Sequence, residues 1–222
     1  MWGSKYILGY SSESPLHLSS LIAQFTQLHQ IAFNISAAQA EMAEKRLKTH
    51  PATIQERIRY HAQDIANMSQ VVSQADLVVS VDSAYHFQTR RSFLHSATQV
   101  LTPGGRLAVV DIVITQPTSH MSLLDRIKLF AMAKLAGWPW ENIWTLQEYQ
   151  DCLSQLEYKH IDACVVDENA FDSLSKHIRQ VLADYKDVLH PLLQFKYGLV
   201  ASLFEWTTRQ QWVKLVFITA ET

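Results

Sequence analysis

The sequence predicts an α/β fold, a doubly wound and mostly parallel sheet with helices on both faces. Three observations carry that expectation. Short apolar runs such as "KYIL", "IAFNI", "DLVVSV" and "LAVVDIVI" alternate with stretches of helical period across residues 5–114. The run "ADLVVSV" is β-branched and uninterrupted, as strands buried on both faces are. The amphipathic "RRSFLHSATQVL" stops at "TPGG", where proline and paired glycines turn the chain into the next strand. Right-handed crossovers then favour the doubly wound arrangement.

Each element follows in order. Strand one is placed at residues 6–8, with a helix through "LHLSSLIAQFTQ". Strand two, "HQIAFNI", leads into the strong helix former "SAAQAEMAEKRLKTH", with Ser36 as its N-cap. Strand three is short, around "IRYHAQ", and "ANMSQVVSQ" makes a turn or short helix. "ADLVVSV" is the fourth strand, and the next helix turns Phe93, Leu94, Ala97, Val100 and Leu101 to one side. "RLAVVDIVI" is the fifth. After Thr115, "MSLLDRIKLFAMAKLAGWPWENIWTLQEYQDCLSQL" predicts two helices separated by "GWPWENIW". "HIDACVVD" is a sixth strand, one long helical stretch covers residues 173–207, and "QWVKLVFITAE" closes the chain as an alternating strand.

At 222 residues with 48% apolar and 18% charged side chains, one globular domain over residues 1–222 is expected, not a disordered chain. The formal charge of −2 supplies no basic footprint for nucleic acid. Cys152 and Cys164 have no paired spacing, so reduced thiols, mostly buried, are expected rather than a disulfide or zinc site. "MWGSKYILGY" has no apolar leader core, and no run approaches the roughly 20 apolar residues of a membrane span. A cytoplasmic protein without a metal is the expectation.

In a doubly wound sheet the ligand sits beyond the carboxyl ends of the strands, near the point where strand order reverses. Here those ends are residues 9–14, 34–36, 63–65, 80–86 and Asp111.

The segments "ADLVVSVDSAYHF", "QVLTPGGRL" and "VVDI" resemble the class I S-adenosylmethionine-dependent methyltransferases, nearest their small-molecule branch of sterol, tocopherol and ubiquinone-pathway enzymes. "IAFNISAAQAEMAEKRL" and "RYHAQDI" match the family's second- and third-strand segments, and the remainder is alike in layout. The resemblance implies a Rossmann-like, seven-stranded sheet with an antiparallel last strand. It implies S-adenosyl-L-methionine as cofactor and in-line methyl transfer to a small, largely apolar acceptor. Residues 1–114 would form the cofactor half, and residues 115–222 the lid helices and C-terminal strands.

By the same resemblance Gly9, Ser11 and Ser12 belong to the cofactor loop, and Asn34 and Ile35 lie at the ribose position. Gln63, Asp64 and Ile65 flank the adenine, and Asp82 faces the cofactor. Asn34 is alternatively a turn asparagine, and Asp64 a helix cap. His86 is the candidate general base, beside Tyr85, with Asp111 orienting it or meeting substrate. A histidine packed under its loop and a carboxylate bonded to a nearby backbone amide are the alternatives. Trp138, Trp140 and Trp144 are candidate pocket walls, or else core.

Two features depart from the family. Its first loop carries an acid and three alternating glycines, whereas "GYSSESPLHL" has Gly9 alone, with Glu13 as a possible replacement acid. The chain also opens directly at strand one, so "LLDRIKLFAMAKLAGWPWENIW" is expected to supply the lid. A catalytically inactive binding or regulatory subunit is therefore the alternative function. A nicotinamide-dependent oxidoreductase is disfavoured, because G-x-G-x-x-G is missing after strand one.

Overall fold

The computed structural model describes residues 6–11, 28–167 and 170–222. Its strands form one mixed sheet. β1 (Tyr6–Ser11) lies between β2 (His29–Phe33) and β4 (Ala75–Val81), parallel to both. β3 (Ile58–His61) extends the sheet beyond β2, and β5 (Leu101–Ile114) pairs in parallel with β4. β7 (Val213–Glu221) runs antiparallel to both β5 and β6 (Lys159–Asp167). The order β3-β2-β1-β4-β5-β7-β6 reverses direction between β1 and β4, which makes that junction the expected ligand crevice. The mixed α/β architecture agrees with the sequence reading.

Local chemistry explains most boundaries. The Ser36 side chain caps α1 (Ala37–Leu47) by accepting from the Gln39 amide. A single turn, α2 (Ala52–Gln55), precedes β3, and Thr89 caps α3 (Arg90–Val100) through the Ser92 amide. β5 begins five residues earlier than "RLAVVDIVI" suggested, since "LTPGG" continues in extended backbone. Gly105 is required there, because a Cβ would stand 2.7 Å from the Thr102 carbonyl oxygen.

α4 (Leu123–Ala136) starts at the Ser122 cap and stops where Gly137 turns left-handed at φ 66°. Thr145 and Glu148 form a reciprocal capping box on α5 (Leu146–Gln155). The expected single helix over residues 173–207 is instead two, α6 (Ala170–Asp184) and α7 (Pro191–Gln210). Proline at the first position of α7 explains the break, since it cannot donate within a continuing helix.

Phe93, Leu94, Ala97 and Val100 of α3 are buried against Val78 and Leu107 of the sheet, as their spacing predicts. On the other side Leu129 and Met132 of α4 pack with Ile112, Ile114 and Trp212. Each such burial contributes about 1.5–3 kcal/mol. Cys152 is buried, whereas Cys164 is exposed, contrary to the expectation of burial for both. Among the described residues, no helix is long and apolar enough to cross a membrane, and no His/Cys/Asp/Glu group is placed to hold a metal. The expected helix through "LHLSSLIAQFTQ", with Ser12 and Glu13, lies outside the described residues.

Candidate active site

The site is built on the turn that leaves β4. Asp82 takes a left-handed conformation at φ 51°, and its amide donates to the Val110 carbonyl of β5 at 2.8 Å. Such backbone is unfavourable for a residue with a Cβ and persists where surroundings enforce it. Burial pushes the Asp82 carboxyl above its usual range, against the opposing pull of the Tyr85 hydrogen bond.

A short 3₁₀ turn, Ala84–His86, follows and is gripped by two wholly buried side chains. Asp111 of β5 accepts from the Tyr85 amide at 3.2 Å and from the Ile112 amide at 2.9 Å. Asn142 donates to the Tyr85 and Phe87 carbonyls at 3.0 and 2.7 Å and accepts from the Arg90 amide at 2.7 Å. The His86 ring then lies 4.1 Å from the Tyr85 ring, centroid to centroid, and its Nδ1 donates to the Gly137 carbonyl at 2.8 Å. A carbonyl can only accept, so Nδ1 carries the hydrogen and Nε2 of the neutral ring holds the lone pair.

Asp111 was expected to orient a base or meet substrate. Its carboxylate is fully buried, does not line the cavity described below, and is paired with Arg90 Nε at 2.9 Å. It holds the turn through the Tyr85 amide. Burial pushes its carboxyl up, while Arg90 and the two amides pull it down. A cation at the start of a helix opposes the helix dipole, and Asp111 offsets that at Arg90. The guanidinium also donates to the Ile112 carbonyl at 2.9 Å and stacks on Trp144 and Tyr149, with ring centroids at 5.2 and 4.9 Å.

Beyond this turn lies a cavity of about 600 Å³. Asp82, Tyr85 and His86 form its polar end, and α4, α6 and α7 supply mainly apolar walls that include Met132, Leu135, Ile178, Val200 and Phe204. Of the three tryptophans expected there, only Trp138 lines it, oriented by donating Nε1 to the Asn142 carbonyl at 3.1 Å. Trp140 packs on Phe130 instead, and Trp144 on Arg90 and Tyr149. His177 and Tyr197 also line the cavity, although nothing in their local pattern set them apart.

The other expected site residues gather at the carboxyl ends of the neighbouring strands. Gly9 and Ser11 lie in β1, in register with Val79 and Val81 of β4. Asn34 is buried, accepting from the Ser36 amide at 2.8 Å and donating to Gln39 Oε1 at 2.7 Å, which is the turn role. Asp64 caps the 3₁₀ segment Ile65–Gln70 through the Ala66 amide at 2.9 Å. Gln63 Nε2 donates to the Asn67 carbonyl at 3.4 Å, within the same turn. The Ile65 side chain belongs to the core, so only its backbone is available to a ligand. Ile35, by contrast, leaves 63% of its surface exposed beside these polar groups.

Residues 16–107 match the methyltransferase domain family. The methyltransferase GfsG of Streptomyces halstedii is 28% identical over 81 residues, covering 36% of this chain and 28% of that protein. The aligned stretch thus spans less than a third of that relative's length. Among solved structures, a Galdieria sulphuraria protein assigned as a sarcosine dimethylglycine methyltransferase aligns at a TM-score of 0.80 with 13% identity, covering 98% of this chain and 78% of that one. The cyclopropane synthase MmaA2 of Mycobacterium tuberculosis gives 0.78 at 13% identity, covering 99% and 78%. The geranyl diphosphate C-methyltransferase of Streptomyces coelicolor A3(2) gives 0.72 at 12%, covering 98% and 73%. The fold is that of class I methyltransferases, and the resemblance carried by the strand-four and strand-five segments holds.

Proposed function

We propose, taking that methyltransferase domain as premise, that the chain transfers a methyl group from S-adenosyl-L-methionine to a small, largely apolar acceptor. The cofactor, when bound, supplies a sulfonium methyl electrophilic enough for direct in-line displacement. The fit to it rests on the strand ends, where the exposed Ile35 offers an apolar face for a flat ring beside the polar groups of Asn34 and Asp64. In this reading residues 1–114 hold the cofactor and residues 115–222 cover the acceptor.

The observation that carries the acceptor class is the cavity, walled mainly by apolar side chains, with polar groups at the β4 turn and at His177, Tyr197 and Thr207. Its walls exclude water and hold an apolar acceptor against the turn. For a hydroxyl acceptor, His86 takes the proton at Nε2, because Nδ1–H is engaged by the Gly137 carbonyl. Tyr85 and Trp138 bound the same end and orient the acceptor.

The test is transfer of methyl label from S-adenosyl-L-methionine to a panel of hydroxylated aromatic and terpenoid compounds. Labelled product is expected, reduced at least about a hundredfold in His86→Asn. Transfer undiminished in that variant would remove His86 from the chemistry. A second reading, an inactive binding subunit, is favoured by the lone glycine of "GYSSESPLHL" and by the turn roles of Asn34 and Asp64. Failure of a demonstrably folded chain to bind the cofactor would support it.

A further inference from the structure

Helix α4 carries apolar side chains on its solvent side as well as on its core side. At 3.6 residues per turn, Leu129, Met132 and Ala133 face the core, and the opposite side should be polar. That side instead carries Leu123, Leu124, Ile127 and Phe130, which are 73, 61, 57 and 54% exposed. Arg126 and Lys128 flank the strip and Lys134 lies along it, against Asp125 as the helix's single acid. The cationic cluster contrasts with the net charge of −2 for the whole chain.

We propose that this face of α4 docks on an anionic lipid surface, and that the acceptor enters the cavity from the bilayer. An apolar strip flanked by long cationic side chains suits the interface, where the stems lie along the acyl boundary and the charges reach the head groups. A second copy of this chain fits the strip less well, because antiparallel self-pairing would bring Arg126 near Lys134 of the partner, charge against like charge. The strip also leads to the cavity. Leu135, on the last turn, is 51% exposed and lines it, as do Leu174 and Tyr197, 39 and 44% exposed. Leu135 thus belongs both to the exposed surface of the docking helix and to the cavity wall. The delivery of acceptor rests on the methyltransferase reading, whereas docking stands apart from it.

The test is co-sedimentation of the full chain with phosphatidylcholine vesicles, with and without phosphatidylglycerol. Binding to the anionic vesicles is expected, weakening as salt is raised. Leu124→Ser with Ile127→Ser should lower partitioning at least about tenfold. Neither residue lines the cavity, so cofactor affinity should be unchanged. An acceptor presented in anionic vesicles should react faster than in neutral ones with the parent chain and not with the double variant. No binding to anionic vesicles, or equal binding by both proteins, would overturn the proposal. So would a lipid-free dimer that the double variant abolishes, since a second copy would then cover the face. Cofactor titration on the same preparations separates the two claims. Vesicle binding without cofactor binding would sink the methyltransferase reading alone, and the converse would sink docking alone.

Discussion

Gly137 and His86, 51 residues apart, are joined by a 2.8 Å hydrogen bond from the imidazole Nδ1 to the glycine carbonyl. The bond ties the end of α4 to the turn after β4, so the helix that walls the cavity also sets the tautomer of its histidine. His86→Asn keeps a comparable donor but offers no basic nitrogen. Methyl transfer to a hydroxyl acceptor should fall about 10²–10⁴-fold while folding and cofactor affinity persist. Single-turnover rates beside a thermal melt check both.

Asn142 makes three hydrogen bonds to the backbone of Tyr85, Phe87 and Arg90 from a fully buried position. Asn142→Ala removes all three bonds, at about 1 kcal/mol for each hydrogen bond lost. Urea unfolding should show a loss of at least about 2 kcal/mol.

Arg90 and Asp111 form an ion pair with neither side chain exposed. Removing one partner strands a buried charge, so Asp111→Ala should cost about 3–5 kcal/mol. The double variant Arg90→Met, Asp111→Leu should recover most of that loss, which a double-mutant cycle measures.

Burial raises the Asp82 carboxyl above its unfolded value of about 3.9. Between those two values the folded chain binds more proton than the unfolded one, so this component of stability falls as pH rises through the window. Asp82→Asn removes the buried charge and suits the φ of 51°. At pH 7 its stability should lie within about 1 kcal/mol of the parent or above it. Denaturant midpoints on acidification should also lack the relative gain that the parent shows.

Val200 lines the cavity from α7. Val200→Trp fills space an acceptor would occupy, so kcat/KM for apolar acceptors should drop at least about tenfold. Binding of the demethylated cofactor should be untouched, as calorimetry can show.

How much of this was legible in the sequence depended on distance along the chain. The strand "ADLVVSV", the Ser36 cap and the core face of α3 from Phe93 to Val100 are local patterns that match the structure. Leu77, Val79 and Val81 are, however, only half-buried, and Leu101 opens β5 instead of ending the helix. The roles of Gly137 and Asn142 are not local, since their partners lie 51 to 57 residues away. Trp138, Trp140 and Trp144 look alike in sequence, yet only the first meets the cavity. Apolar periodicity does not distinguish a helix face against packed neighbours from one against a void. For the same reason α6 and α7 read as an ordinary helix rather than as cavity walls.

In the proposed function the cofactor is recognised at the ends of β2, β3 and β4. Calorimetric titration of the purified chain with S-adenosyl-L-methionine and its demethylated product tests it most directly. Micromolar-scale binding of both is expected, retained in Val200→Trp and lost in Asp64→Ala. Heat-silent titrations of a demonstrably folded chain at millimolar cofactor would contradict it and leave a binding subunit as the reading of this fold.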